Sequence, residues 1–324
     1  MRPIPSDVPA IEVTGLRKQY RKIEALGGLD MTVGRNEVFG FLGPNGAGKT
    51  TTVKLLLGLA KPTGGTGQVL GAPLGDRVTR RQIGYLPELF RYQPWMSARE
   101  VLLLHGELMG LERHRRGPAA DEVLELVGLA DRAGDQVGRF SKGMQQRLGL
   151  AVALVGDPAL VILDEPTSAL DPLGRIDVRG IIRTARERGT GVFLNSHLLS
   201  EVEQVCDRVA IIDRGRVVAI GTLDDVLGAS ETQIRQTGLQ VEQLRAIEQF
   251  GPPTLEGDLL IVRPMESRRA HELVELLVGF GIQVHEVRSG RGTLEQRFLE
   301  LVSRERPPAG TPLLAGTKGA ELIT

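Results

Sequence analysis

Nine consecutive residues, Gly43-Pro44-Asn45-Gly46-Ala47-Gly48-Lys49-Thr50-Thr51, contain the pattern G-x-x-x-x-G-K-[ST]. Its glycines let the backbone curl until successive N–H groups point inward, a nest for concentrated negative charge. A helix starting near Lys49 adds the partial positive charge of its N-terminus. Lys49 is long enough to reach the β- and γ-phosphates of a bound nucleotide, and the Thr50 hydroxyl can ligate Mg²⁺. A second group suits the same chemistry. Asp164-Glu165 closes the apolar run Leu160-Val161-Ile162-Leu163. The first carboxylate can hold Mg²⁺ through water, and the second can orient or deprotonate an attacking water. His197 stands at the end of another apolar run and can donate to a γ-phosphate. Together these residues predict a nucleoside-triphosphate site able to hydrolyse its ligand.

The elements around them fit. Residues 37–42 read as a short buried strand running into the loop, and 51–59 as a helix ending near Gly58, before Pro62. Residues 11–13 and 29–33 read as strands, 64–67 as a turn and 68–70 as an edge strand. Tyr20 lies between the first two strands and is either a platform for an adenine ring, worth about 0.5–1.5 kcal/mol beyond burial, or an exposed loop residue. Residues 82–88 read as a strand leaving the core through Pro87. From 97 to 133 the pattern turns helical, with capping-box spacing at Ser97-Ala98-Arg99-Glu100 and a second helix over 121–127 closed by Gly128. Ser141 caps a long helix that finishes near Gly156-Asp157-Pro158. The apolar run 160–163 and the buried strand 191–195 predict a parallel sheet covered on both faces. A helix over about 174–188, another over 199–206 and strands at 209–212 and 217–220 complete this part. Alternating strands and helices from 231 to 302 predict a small α+β domain, and Pro, Gly and Thr dominate the sequence from 303 on, predicting a tail.

Composition narrows the function classes. At 324 residues, one large and one small domain are expected. Forty Lys and Arg balance forty Asp and Glu, so overall charge gives no pull toward nucleic acid. Arg113-His114-Arg115-Arg116 reads as solvated surface. A single cysteine, Cys206, excludes an internal disulfide and fits a reducing compartment, with packing expected rather than reactivity. The five histidines show no metal-ligand spacing. Residues 1–10 do not read as a signal peptide, and no run approaches the ~18 apolar residues that span a bilayer. Any membrane role is expected to pass through a partner.

Tyr20, the glycine-rich loop, Glu88, residues 140–145, Asp164-Glu165, Ser168-Ala169-Leu170-Asp171 and His197 form an ordered set that resembles the motifs of ABC-type ATPases over about residues 11–225. The resemblance implies an α/β P-loop NTPase cassette with a mixed central sheet, an antiparallel β subdomain and a helical insertion. Expected boundaries are 1–228 for the cassette with its insertion at about 89–155, 229–303 for a small C-terminal domain, and 304–324 for a flexible tail. It implies ATP and Mg²⁺ as ligands, with Thr50, Asp164 and Glu88 around the metal and Glu165, His197 and Lys49 in catalysis. In such proteins the stretch matching Ser141-Lys142-Gly143-Met144 contacts the γ-phosphate bound by a partner, so Ser141, Gly143 and Asp171 are assigned to a nucleotide sandwiched between two cassettes. A helix N-terminus with no phosphate of its own fits that assignment. The implied partners are separately encoded membrane permease subunits and a second copy or a homologous cassette, at the cytoplasmic face of the membrane.

Two features depart from the family's usual pattern. Glu88 stands where Gln is usual, which puts coupling and rate in question, and the signature reads Ser-Lys-Gly-Met rather than Ser-Gly-Gly-Gln. Both resemble the branch that powers exporters of drugs, lipids and polysaccharides. Thr293-Leu294-Glu295-Gln296-Arg297-Phe298 resembles the ending of that branch, or is an ordinary amphipathic helix with a capping box. The alternative is a soluble, non-transport ABC ATPase of the translation or DNA-repair type. One P-loop and a short insertion disfavour it.

Overall fold

A computed structural model of the chain describes residues 8–304 except 169, 229 and 291. The expected tail from 305 on, the N-terminal residues 1–7 and Ala169 therefore lie outside the described residues, whereas residue 304 closes the last helix. In chain order the first part comprises β1 (Ile11–Tyr20), β2 (Ile23–Val33), β3 (Val38–Leu42), α1 (Lys49–Leu56), β4 (Gly64–Val69), β5 (Ala72–Pro73), α2 (Arg77–Arg80) and β6 (Ile83–Leu86). Then follow α3 (Ala98–Met109), α4 (Arg113–Leu126), α5 (Lys142–Leu154), β7 (Leu160–Asp164), α6 (Pro172–Glu187), β8 (Gly191–Asn195), α7 (Leu199–Val205), β9 (Arg208–Asp213), β10 (Arg216–Thr222) and α8 (Leu223–Leu227).

The central sheet has the order β10-β9-β3-β8-β7-β6, with only β10 antiparallel to its neighbour. Its inner strands β3, β7 and β8 are buried along their whole length and apolar up to their carboxyl ends because both faces are covered, and the period of two divides each of them between two cores. Val38, Leu42, Val161, Leu163, Val192 and Leu194 point into a cluster shared with the helical insertion and α6. Phe39, Phe41, Leu160, Ile162 and Phe193 point the other way, into a cluster shared with α1 and the antiparallel sheet β2-β1-β4-β5. Register aligns the ends of the parallel strands: Leu86 lies opposite Leu163, Asp164 opposite Asn195, and Asn195 opposite Phe41. The carboxyl ends of β3, β6, β7 and β8 therefore open on one crevice, the usual place for a ligand in a sheet of this kind.

Several expectations need adjustment. β1 runs on through Tyr20 to a tight hairpin at Arg21-Lys22, so Tyr20 ends a strand rather than lying in a loop. The glycines at 64–67 are part of β4, which is internal; β5 is the edge. The second insertion helix starts at Arg113, eight residues earlier than its apolar pattern, and contains Pro118.

Beyond this first part come β11 (Glu231–Thr237), α9 (Leu244–Ile247), β12 (Pro253–Glu256), β13 (Leu259–Val262), α10 (Ala270–Gly279), β14 (Gln283–Gly290) and α11 (Leu294–Arg304). The sheet order β12-β13-β11-β14, all antiparallel, with helices after the first and third strands, is a split β-α-β arrangement. It has its own core of Ile234, Ile247, Leu260, Val262, Leu273 and Leu277. α11 does not join that core. It returns to the first part, where Leu294 is fully buried in the cluster shared with α3, α4, α5 and α6.

Candidate nucleotide site

The loop after β3 is shaped by contacts that exclude side chains. A Cβ on Gly43 would lie 2.4 Å from the Ile212 carbonyl oxygen, and one on Gly48, whose φ is +107°, would lie 2.6 Å from the Ala25 carbonyl oxygen. Thr52 N donates to Gly48 O at 2.9 Å, starting α1, so Gly48 caps the helix in the left-handed region where glycine is unstrained. Lys49 is nearly buried. Its ammonium donates to the carbonyls of Gly43 at 2.7 Å and Pro44 at 3.2 Å, which fixes it at the loop. Burial pulls its pKa down, while the nearby carboxylates of Glu165, Asp164 and Glu88 oppose that shift.

Asp164, at the end of β7, is also buried. Burial pushes its carboxyl up; the hydrogen bond from Asn195 Nδ2 opposes this, Glu88 and Glu165 add to it, and Lys49 counteracts it. The following residue, Glu165, has φ +54°, a left-handed conformation that costs a non-glycine residue about 1–3 kcal/mol. Strain at one residue is held by its surroundings: Glu165 N donates to Asn195 O at 2.8 Å, and Ser168 Oγ donates back to Glu165 O at 3.1 Å. The turn aims the side chain at His197, whose Nδ1 lies 2.7 Å from Glu165 Oε2.

These groups share a cleft of about 390 Å³ lined by Gly43, Pro44, Asn45, Lys49, Thr50, Glu88, Asp164, Glu165, Asn195, His197, Leu199 and Phe298. Nine of the residues singled out in the sequence thus come together. Gly46, Ala47, Gly48 and Thr51 shape the loop without lining the cleft. Tyr20 sits apart at the end of β1, 42% exposed, with the Lys18 ammonium 4.7 Å above its ring. Ser141 caps α5, its Oγ accepting from Met144 N at 3.2 Å, and with Lys142 it faces solvent away from the cleft; Gly143 lies in the same first turn. Gln146, one turn along α5, donates to the Pro166 carbonyl at 2.8 Å and so ties this helix to the segment following Glu165. Asp171 caps α6 by accepting from Gly174 N at 2.8 Å.

Three lining residues were not anticipated: Asn195, Leu199 and Phe298. Asn195 left a signal at the site, a polar residue closing the strand read over 191–195 two places before His197, while Phe298 stood out only within the stretch 293–298, with no link to the cleft. Asn195 is 2% exposed, and its Oδ1 has no hydrogen-bond partner among the described residues. A buried acceptor of this kind needs a donor such as water.

The donor set fits Mg²⁺. No cluster of three His, Cys, Asp or Glu able to grip a metal occurs among the described residues. The cleft instead offers the Thr50 hydroxyl, the carboxylates of Asp164 and Glu88, and an unfilled acceptor on Asn195. A small cation that keeps several waters and takes one or two carboxylates plus substrate phosphates needs no more.

Comparison with known proteins decides the family. A family pattern described as "ABC transporter" matches residues 26–168. An uncharacterised ABC transporter ATP-binding protein of Nostoc sp. is 46% identical over 236 residues, covering 70% of each chain. The chain belongs to the ATP-binding subunits of ABC transporters. It is an ATPase whose hydrolysis is coupled to transport, which sets aside the soluble, non-transport alternative. The bacitracin transport ATP-binding protein of Bacillus licheniformis is 36% identical over 299 residues, covering 90% of this chain and 97% of that protein. A match of that length takes in the C-terminal unit as well as the cassette. A solved structure titled as the ATP-binding subunit of an ABC transporter superposes with a TM-score of 0.62 at 33% identity, covering 67% of this chain and 91% of that one. No helix among the described residues is long and apolar enough to cross a membrane.

Proposed function

We propose that this chain is the motor of an ABC exporter, binding Mg²⁺-ATP between two cassettes and driving separately encoded membrane subunits from the cytoplasmic face. The single observation that carries the chemistry is Glu165, strained in backbone and paired with His197, facing Lys49 across one cleft. The Lys49 ammonium and the N-terminus of α1 bind the β- and γ-phosphates. Glu165 orients a water and takes its proton as the water oxygen bonds to the γ-phosphorus; the bond from that phosphorus to the bridging oxygen breaks, and ADP leaves. His197 hydrogen-bonds the γ-phosphate and steadies Glu165. When bound, Mg²⁺ neutralises phosphate charge, held by Thr50, Asp164 and Glu88, with Asn195 orienting Asp164.

Ser141 and Gly143 lie at an exposed helix N-terminus outside the cleft, which supports their use on the nucleotide of a second cassette. Tyr20 is then available to stack on the adenine, and Asp171, capping α6, shapes the segment that follows Glu165. A membrane partner has a fitting surface: an apolar groove lined by Tyr85, Pro87, Phe90, Tyr92, Leu108 and Met109 with Arg77, Arg80 and Arg81 at its edge. Glu88 lies between Pro87 in the groove and the nucleotide cleft, so one segment touches both. Export as the direction follows the resemblance of Glu88 and the Ser-Lys-Gly-Met signature to the exporter branch. The domain division proposed is a cassette to about 228, an accessory unit over 229–303 and a tail beyond.

Affinity purification of the tagged full-length chain from its native membrane, with ATP present, tests this. The expected result is a polytopic membrane protein in the eluate, lost on Leu108→Glu in the groove. Recovery of ribosomes or DNA in its place would contradict the reading.

A further inference from the structure

The cassette supplies every lining residue of the nucleotide cleft except Phe298, which comes from α11 at the end of the accessory unit. Leu294, Phe298 and Leu301 fall at i, i+4 and i+7, one face of the helix, and all pack into a cassette cluster. The helix is pinned at its start. Thr293 Oγ1 accepts from Gln296 N at 3.2 Å, Gln296 Oε1 accepts from Thr293 N at 3.1 Å, and the Arg297 guanidinium donates to the Val226 carbonyl on α8 at 3.1 Å. α11 also packs on α7, which begins two residues after His197 with Leu199, the other apolar residue of the cleft. α7 is tied in turn to α6 by Arg179 and Glu201, 3.0 Å apart and largely buried.

We propose that Phe298 is a positioning residue for ATP hydrolysis. With Leu199 it forms an apolar wall that holds α7, and through it His197, against Glu165, and it keeps bulk water from that side of the cleft. The inference rests on the roles given above to His197 and Glu165. Two physical effects support it. The His197 ring is about half exposed, so its orientation depends on the helix that follows it. Excluding water raises the strength of every charge interaction in the cleft. A displacement of the order of 1 Å in a catalytic group costs about a hundredfold in rate. The accessory unit joins the cassette through the chain entering β11 and through α11, so its docking and the reactive geometry are coupled by this one side chain.

Steady-state ATP hydrolysis by the full-length chain tests it with Phe298→Ala, Phe298→Leu and Leu299→Ala. Phe298→Ala is expected to lower kcat by about tenfold or more while KM for ATP stays within about twofold. Phe298→Leu keeps an apolar branch at the wall and recovers most of the loss. Leu299, 57% exposed on the same helix, is the control, and its alanine variant keeps wild-type turnover. Unchanged or faster turnover in Phe298→Ala, a loss that falls on KM alone, or an equal loss in Leu299→Ala would overturn the inference. His197→Ala separates the two layers of argument. If it hydrolyses ATP normally, the role of His197 fails and this inference with it; if it is impaired while Phe298→Ala is not, this inference alone fails.

Discussion

Replacing Asn195 by Leu is expected to leave folding almost untouched and to damage turnover. Asn195 Nδ2 donates to the buried Asp164 carboxylate, and losing a hydrogen bond to a charged group costs about 1.5–3 kcal/mol. The same change deletes Oδ1, a buried acceptor without a partner among the described residues, and relieves about 1–3 kcal/mol of desolvation. The volumes are similar and the terms oppose, so the melting temperature should move by less than about 4 °C. The site has no such compensation. Asp164 loses the strongest influence holding its pKa down, while burial and the neighbouring Glu88 and Glu165 still push it up. The carboxyl then keeps its proton to higher pH, and its hold on the metal weakens by the ~10–100-fold typical of a lost orienting partner. Turnover measured against free Mg²⁺ at saturating ATP should show that shift, and the acid limb of the pH profile should move upward. An unchanged Mg²⁺ requirement with an unchanged acid limb would refute the assignment.

Other consequences follow from the same geometry. Asp164→Asn should raise the melting temperature at pH 7 while abolishing hydrolysis. Asp164's folded pKa is raised, so the stability it contributes is complete below the unfolded value and is lost as pH rises through the folded one. The gain should vanish in acid, and a lower melting temperature at pH 7 would contradict it. Phe193 packs 6.0 Å from the ring of Phe39 and 5.3 Å from that of Phe41 in the sheet core, so Phe193→Ala should cost about 3–5 kcal/mol in denaturant unfolding. Gly43→Ala places a Cβ 2.4 Å from a backbone oxygen that cannot rotate away, and the shifted loop should lose at least about tenfold in nucleotide affinity, or 1.4 kcal/mol. Wild-type affinity by titration would show that the loop tolerates the shift.

What the sequence revealed, and what it concealed, has physical causes. The runs at β3, β7 and β8 are apolar because both faces of the sheet are covered, and that same coverage makes the polar residues at their ends conspicuous. The P-loop, Asp164, Glu165 and His197 were readable for that reason. β12 interrupts the simple alternation of strands and helices expected over 231–302, because it begins at Pro253 after Pro252; proline lacks the N–H a central strand needs, but an edge strand tolerates it. The left-handed turn at Glu165 left no glycine to mark it, since the hydrogen bonds to Asn195 and Ser168 hold it instead. Asp171 and Ser141 carry side chains committed to helix caps, a local role that a family motif does not distinguish from ligand contact. Phe298 was out of reach. Its amphipathic spacing is satisfied equally by the accessory core, and only tertiary packing directs α11 to the cassette.

We propose Glu165 as the base of this ATPase, and Glu165→Gln is the sharpest check of that role. Glutamine keeps the shape and can still pair with His197, while it can no longer accept a proton from water. Hydrolysis measured alongside nucleotide affinity should show kcat lowered by about 10²–10⁴-fold with ATP binding retained. Retained binding with normal hydrolysis would contradict the account.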